Sequence, residues 1–560
     1  MTVSEREPIL TVQTAYGAVS GERGDGVSIW RGIPYAASPA GERRFQKPRP
    51  PEPWEGVRGA AEFGPACPQG TRMVGRGAVP NVSEDCLTLN IWSPAADNMT
   101  PTTGSRKLRR SLHQSALLPK ALHTTSMHGS GASHIDANPR RFVPVACCRG
   151  HKKRAVLFYI HGGSFSEGTG SDKEYEGTDL AREGDVVVVT MNYRLGAFGF
   201  MNFTFLDERF AANCGLWDIL AALRWVHENI GAFGGDPDNV TMCGQSAGGI
   251  CACILSMQDE ARSYIKRAIM MSGVPTLLHT EEQSRQIARD FLDFLGITDA
   301  EGLLAISEET LAKRQNEFAD AGLGVAAFAP CLEREMISQY PIRLAREGAA
   351  PEIPMLVGTT REEMSIVLEP ILSGIVDIND LRKESLKAEK EETIERIKET
   401  YEKIYGKHGR RGRAINISDY VFRLPCVWFA QARSGNSKTW MYRFDYETFG
   451  MRISRLHAFH SSDVPFLFGN FGVGHARLML LLTPVKKDVR KVHREVRGDF
   501  LMFMKEGTLP WETCEEEGGP AKCYAHHTII EPAVPPEIMR AYNDADFKRR
   551  CLAGEPVAIR

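Results

Sequence analysis

Gly244-Gln245-Ser246-Ala247-Gly248 places a serine between two glycines, the residue pattern of a nucleophile mounted on a tight turn. A strand that turns sharply into a helix forces such a serine into strained backbone geometry and lifts its Oγ above a sheet. The flanking glycines remove the clashes that a Cβ would make. The surroundings suit this reading. Asn239-Val-Thr-Met-Cys243 is strand-like, and Gly249-Ile-Cys-Ala-Cys-Ile-Leu255 is compatible with a helix. The pentapeptide alone also describes an ordinary Gly/Ser turn, and a chain of this length holds about 0.2 such matches by chance. Upstream, His161-Gly162-Gly163-Ser164-Phe165 follows the apolar run Ala155–Ile160. The N–H groups of Gly162 and Gly163, with that of Ala247, could hold a developing oxyanion, where each donor is worth about 3 kcal/mol of barrier. The bland alternative is a post-strand turn.

A serine at its ordinary pKa needs a base, and the base needs an acid to orient it. On a strand–turn–helix mount the chain order is serine, then Asp or Glu, then His. His279, His408, His457, His460, His475, His493, His526 and His527 all follow Ser246, and spacing alone does not choose among them.

The elements that must carry these residues are legible as a pattern. Thr11–Ser20 and Gly26–Trp30 read as a hairpin, and Ser83–Trp92 as a strand after an acidic turn. Ala155–Ile160, Asp185–Thr190 and Asn239–Cys243 read as buried strands, with a helix over Leu216–Ile230. Strands alternating with helices predict a parallel sheet. Lys383–Tyr405 reads as a charged helix with Ile394, Ile397, Tyr401 and Ile404 on one side, the charges forming a solvated face.

Composition sets the outer limits. The 560 residues are 42% hydrophobic and 25% charged, which excludes a disordered chain, a fibre or a disulfide scaffold. No run reaches the ~18 apolar residues that span a bilayer. Met1-Thr-Val-Ser-Glu-Arg-Glu-Pro8 lacks a basic stretch followed by an apolar one, so the expected location is cytoplasmic and the 13 cysteines are expected to be thiols. No Cys-x-x-Cys pair with partner ligands suggests a metal. Residues 100–154 hold eleven Lys/Arg and a single acid, Asp136; the rest of the chain is acidic, and nothing in it suggests a nucleic-acid partner. Residues 97–153, with five His and the Cys147-Cys148 pair, show no sustained period and read as a disordered basic insertion, or as translated intervening sequence. A metal-binding role is the minor alternative.

Several longer motifs now come together. Arg31-Gly-Ile-Pro-Tyr-Ala36, Glu84-Asp-Cys-Leu-Thr-Leu-Asn-Ile-Trp92, Asn192-Tyr-Arg-Leu-Gly-Ala-Phe-Gly-Phe200 and Phe233-Gly-Gly-Asp-Pro-Asp-Asn-Val-Thr241, leading into the serine pentapeptide, occur in this order. In these motifs the chain resembles the type-B carboxylesterases, the carboxylesterase/cholinesterase/lipase branch of the α/β-hydrolases. The resemblance implies one α/β domain over 1–560, a large mostly parallel central sheet flanked by helices, interrupted by the insertion. It implies that Met355-Leu-Val-Gly-Thr-Thr-Arg-Glu-Glu-Met364 supplies the acid as Glu363, with Glu362 its competitor. It places the base at His460 in Ala458-Phe-His-Ser-Ser-Asp-Val-Pro-Phe-Leu-Phe-Gly469, with His457 where the family usually has a small residue. The implied site is Ser246, Glu363 and His460, with Gly162, Gly163 and Ala247 as the oxyanion hole and no metal or organic cofactor. Its substrates would be small-molecule esters and water.

Cys67 and Cys86 match a disulfide pair of secreted members, which would stay reduced in a cytoplasmic chain. Pro68–Asp85 between them contains no aromatic residue, which argues against a choline ester. The expected function is a serine carboxylesterase. A lipase for long-chain esters is the alternative, and a non-catalytic scaffold or adhesion member is a more distant one.

Overall fold

The computed structural model describes residues 10–70, 79, 81–94, 152–323, 327–365, 389–406, 409–480, 487–516 and 518–553. The insertion expected over 97–153 lies outside them except for Lys152 and Lys153, which pair with Asp185 and Asp236.

Thirteen strands form one sheet: β1 (Leu10–Gln13), β2 (Ala18–Gly24), β3 (Val27–Pro34), β4 (Val57–Gly59), β5 (Thr88–Pro94), β6 (Arg154–Ile160), β7 (Val187–Met191), β8 (Gly235–Gln245), β9 (Arg267–Met271), β10 (Met355–Thr360), β11 (Thr439–Phe444), β12 (Pro520–Tyr524) and β13 (Ile529–Pro532). Their order is β1-β2-β3-β5-β7-β6-β8-β9-β10-β11-β12-β13, with β4 beside β2. From β7 to β12 every neighbour is parallel, and antiparallel pairs occur toward both edges. Thr11–Ser20, expected as one strand of a hairpin with Gly26–Trp30, instead turns at Thr14–Gly17 and is split between β1 and β2, which pair antiparallel; β2 then pairs antiparallel with β3.

The central strands read as unbroken apolar runs because both of their faces are covered. In β6, Val156, Phe158 and Ile160 point into one core, while Leu157 and Tyr159 point into the other. The first core holds α1 (Cys214–Asn229), through Leu216, Ile219, Leu220 and Leu223, and α2 (Ala247–Ser256). Further along come α3 (Glu391–Tyr405), α4 (Arg410–Ser418) and α5 (Leu424–Ser434), which also pack on this side. The second core holds α6 (Lys487–Glu506), which buries Val489, Val492, Val496, Phe500 and Phe503 at helical spacing.

In α3, Ile397 and Tyr401 are buried as expected, but Ile404 is exposed. Residues 383–388, the start of the expected helix, lie outside the described residues. Between α4 and α5 the helix widens into one π turn, Asp419–Arg423, which the residue pattern did not announce.

All eleven cysteines among the described residues are buried free thiols. Cys67 and Cys86 sit together in their reduced form, and a hydrogen bond to Cys67 pushes the Cys86 thiol well up.

One buried ion pair ties the Asn192–Phe200 motif to α1. Asp218 accepts from Arg194 Nε at 2.8 Å, from Nη2 at 2.7 Å and from the Arg194 backbone N–H at 3.0 Å. Neither side chain reaches water. Removing the acid strands a buried guanidinium, so Asp218→Ala is expected to cost about 3–5 kcal/mol. A lowered urea midpoint in chemical denaturation checks it.

Candidate active site

β8 ends at Gln245, α2 begins at Ala247, and Ser246 alone makes the turn. Its φ of 58° and ψ of −124° lie where a non-glycine residue is strained. The Ser246 N–H donates to the Met271 carbonyl of β9 at 2.9 Å, and its own carbonyl accepts from Ile250 at 2.9 Å. Strand and helix close so tightly that a Cβ on Gly244 would lie 2.1 Å from the Gly248 carbonyl oxygen. A Cβ on Gly248 would lie 2.1 Å from that of Ile160.

The His161–Phe165 turn leaves the end of β6 beside this serine. A Cβ on Gly162 would stand 3.0 Å from Ser246 Cβ and 2.7 Å from the Gln245 carbonyl oxygen. Gly163 has φ +126°, and its carbonyl accepts from Ser166 and Glu167, which closes the turn. The Tyr193 hydroxyl donates to the His161 carbonyl at 2.8 Å and the two rings stack. The N–H groups of Gly162, Gly163 and Ala247 take no acceptor among the described residues. Of these residues, Gly162 and Ala247 lie directly against the serine.

The two carboxylates after β10 part company. Glu363 is fully buried, and its Oε2 stands 2.6 Å from His460 Nδ1. Its Oε1 accepts from Ser272 Oγ and from the Thr360 N–H, each at 2.7 Å. Glu362 turns away, accepting from Arg411 Nε at 2.7 Å and from the Ala458 N–H at 3.2 Å. The backbones interlock as well, since Glu362 N–H donates to Ala458 and His460 N–H to Glu363. One glutamate therefore faces the histidine while its neighbour clamps the loop that carries it.

The side chains of His457, His493 and His526 have partners elsewhere. His457 Nδ1 lies 2.7 Å from Glu447, His493 bonds the Phe466 carbonyl and His526 bonds that of Glu447. His279 donates its backbone N–H to Pro330, and His527 is exposed. His408 and the side chain of His475 lie outside the described residues.

Several residues around His460 were not anticipated from sequence. Ser272 follows β9, a plain serine without a motif of its own. The π turn sets the Phe422 ring 5.0 Å from the His460 ring. On the same turn Arg423, paired with Asp419, donates to the carbonyls of Thr360 and Arg361, just before Glu362 and Glu363. Gln245 Nε2 stands 3.1 Å from His460 Nε2. Asp463, three residues after His460, accepts from the Tyr442 hydroxyl at 2.7 Å. Tyr442 reaches it by crossing Gly358, where a Cβ would strike the ring at 1.8 Å.

Residues 8–509 match the carboxylesterase family model. The chain belongs to the carboxylesterase family. It is 33% identical over 520 residues to the para-nitrobenzyl esterase of Bacillus subtilis (strain 168), covering 90% of this chain and 93% of that one. The structure of the Geobacillus stearothermophilus carboxylesterase EST55 matches with a TM-score of 0.76 at 32% identity, covering 95% of this chain and all of that one. Mouse neuroligin-2 shares 32% identity over 391 residues, which is 64% of this chain and 42% of neuroligin-2. The fold is that of the α/β-hydrolases, as the motifs implied, and the chain is a carboxylic ester hydrolase of this family.

Two outcomes follow from this geometry. In Gly162→Ala the added methyl pushes the turn off Ser246, and kcat/KM for p-nitrophenyl acetate is expected to fall at least about a hundredfold, as when an oxyanion donor is lost. Burial pushes the Asp463 carboxyl up from 3.8 to about 6, against the opposing Tyr442 hydrogen bond. The native chain therefore holds this proton where the unfolded chain has released it. The stability tied to Asp463 is complete below about pH 4 and is lost as pH rises through 6. In Asp463→Asn this slope, about 3 kcal/mol in all, is expected to vanish from denaturation curves taken between pH 4 and 7.

Proposed function

We propose that the chain is a serine carboxylesterase in which Ser246, His460 and Glu363 carry an acyl-enzyme mechanism. The observation that supports this most directly is the 2.6 Å contact between His460 Nδ1 and Glu363, with the other ring nitrogen directed toward the serine turn. Glu363 fixes the tautomer with the proton on Nδ1, leaving Nε2 as the base. Nε2 takes the Ser246 proton as Oγ attacks the ester carbonyl. The N–H groups of Gly162, Gly163 and Ala247 hold the oxyanion as it forms. The imidazolium then gives its proton to the departing alkoxide, and the alcohol leaves. Water attacks the acyl-serine by the same route, releasing the acid and restoring Ser246.

The reading includes one catalytic unit over 1–560 in a cytoplasmic setting, consistent with its buried free thiols. Among the described residues no helix is long and apolar enough to cross a membrane. Small or medium neutral esters are the proposed substrates; long-chain esters are the alternative. The para-nitrobenzyl esterase relative makes aryl-methyl esters suitable probes.

The test is hydrolysis of p-nitrophenyl esters from acetate to palmitate, with p-nitrobenzyl acetate alongside. Ser246→Ala and His460→Ala are expected to lose at least about 10⁴-fold in kcat. Glu363→Gln is expected to fall far more than Glu362→Gln. Activity surviving in Ser246→Ala overturns the mechanism, and equal losses in the two glutamate variants overturn the choice of acid. A maximum at palmitate with activation at an interface identifies a lipase instead.

A further inference from the structure

Gln245 is the last residue of β8 and is only 2% exposed. Its amide lies across the centre of the site. Nε2 stands 3.1 Å from His460 Nε2. Oε1 lies on the side of the glycine turn, where a Cβ on Gly162 would meet it at 2.8 Å. The acid settles the direction of the hydrogen bond. A carboxylate only accepts, so the ring proton sits on Nδ1 facing Glu363, and Nε2 presents its lone pair. The Gln245 amide therefore donates to the nitrogen that must take the serine proton. Among the described residues, this is the hydrogen bond that Nε2 makes.

We propose that Gln245 is a positioning residue that holds the base nitrogen of His460 in the resting site and restrains its uptake of a proton. The proposal rests on the Ser246–His460–Glu363 reading. A donor aimed at the lone pair favours the neutral ring and competes with the Ser246 hydroxyl for the same nitrogen. Once Nε2 is protonated it becomes a donor, and the amide N–H must turn away. Glutamine is suited to this because its amide carries donors on one corner and an acceptor on the other. Glutamate has the same shape but, when ionised, only accepts. It would favour the protonated ring at rest.

The other groups around His460 act in fixed ways. Glu363 faces Nδ1, and the Asp463 carboxyl lies close enough to interact with the ring through charge. Glu362 is engaged with Arg411, and Arg423 with Asp419. Phe422 adds an uncharged ring. Gln245 is thus the neutral group that touches Nε2 itself.

The test is the pH dependence of kcat/KM for p-nitrophenyl acetate in the full chain, comparing Gln245→Glu and Gln245→Leu with the unsubstituted protein. In Gln245→Glu the acid limb is expected to move to higher pH by about one pH unit, a tenfold loss on that limb, because an opposite charge beside a protonated ring favours it. Gln245→Leu, which removes the donor without adding charge, is expected to move the limb in the same direction by less. Titration of Ser246 with a phosphonate ester counts correctly folded sites, and if Gln245→Glu does not fold, Gln245→Leu alone decides. Acid limbs that coincide with the unsubstituted protein overturn the role of Gln245. Activity that does not depend on Ser246 at all overturns the reading of the site beneath it.

Discussion

The rest of the site depends on a single backbone conformation, that of Ser246. Its φ of 58° and ψ of −124° are costly for any residue with a side chain. They persist because β8 and α2 are pressed against each other and against β6, with Gly244 and Gly248 at the points of closest approach. The strain is carried by the packing of the two cores, not by the turn itself. Once the serine is lifted there, the geometry of its neighbours is constrained. The turn after β6 must pass within van der Waals reach of it, and only Gly162 leaves enough room. The loops after β10 and β11 then bring Glu363 and His460 to the same edge of the sheet.

Those two loops are held to each other as much as to the sheet. Glu362 and Glu363 are adjacent, and each engages the histidine segment in its own way. The backbone bonds between Glu362 and Ala458, and between Glu363 and His460, make a short two-point fastening. Arg423 adds a third hold from the π turn, donating to the carbonyls just before the glutamates. Such turns are frequent at functional sites because they rotate side chains out of register with the helix before them. Here the rotation brings Phe422 to His460 and Arg423 to the loop after β10 at once.

How much of this was visible in the residues follows from the range of the interactions. The parallel sheet was legible because its strands are apolar on both faces and alternate with helices. The serine and its glycines were legible because a strained turn demands particular residue types at fixed spacing. The proposed acid and base were not legible that way: any of eight histidines followed the serine, and only the resemblance pointed to His460 and Glu363. His457 lies three residues from His460 and is engaged with Glu447 instead, a distinction made by tertiary contact alone. Ser272 has no motif of its own, and although Gln245 and Asp463 lie inside the serine and histidine motifs, the contacts these three make join distant segments that the local pattern does not reveal. Ile404 kept the helical spacing of Ile397 and Tyr401 yet is exposed, while Tyr405 beside it packs against the core.

The separations along the chain bear on how the site comes into being. His460 meets Glu363 across 97 residues and Gln245 across 215. Contacts of this span close large loops, and the entropy lost in closing them is recovered only when the strands between have paired. β8, β9, β10 and β11 must all be in register before His460, Glu363 and Ser246 share one edge. Regain of ester hydrolysis during refolding is thus a late signal, arriving with the completed sheet and not with its first helices.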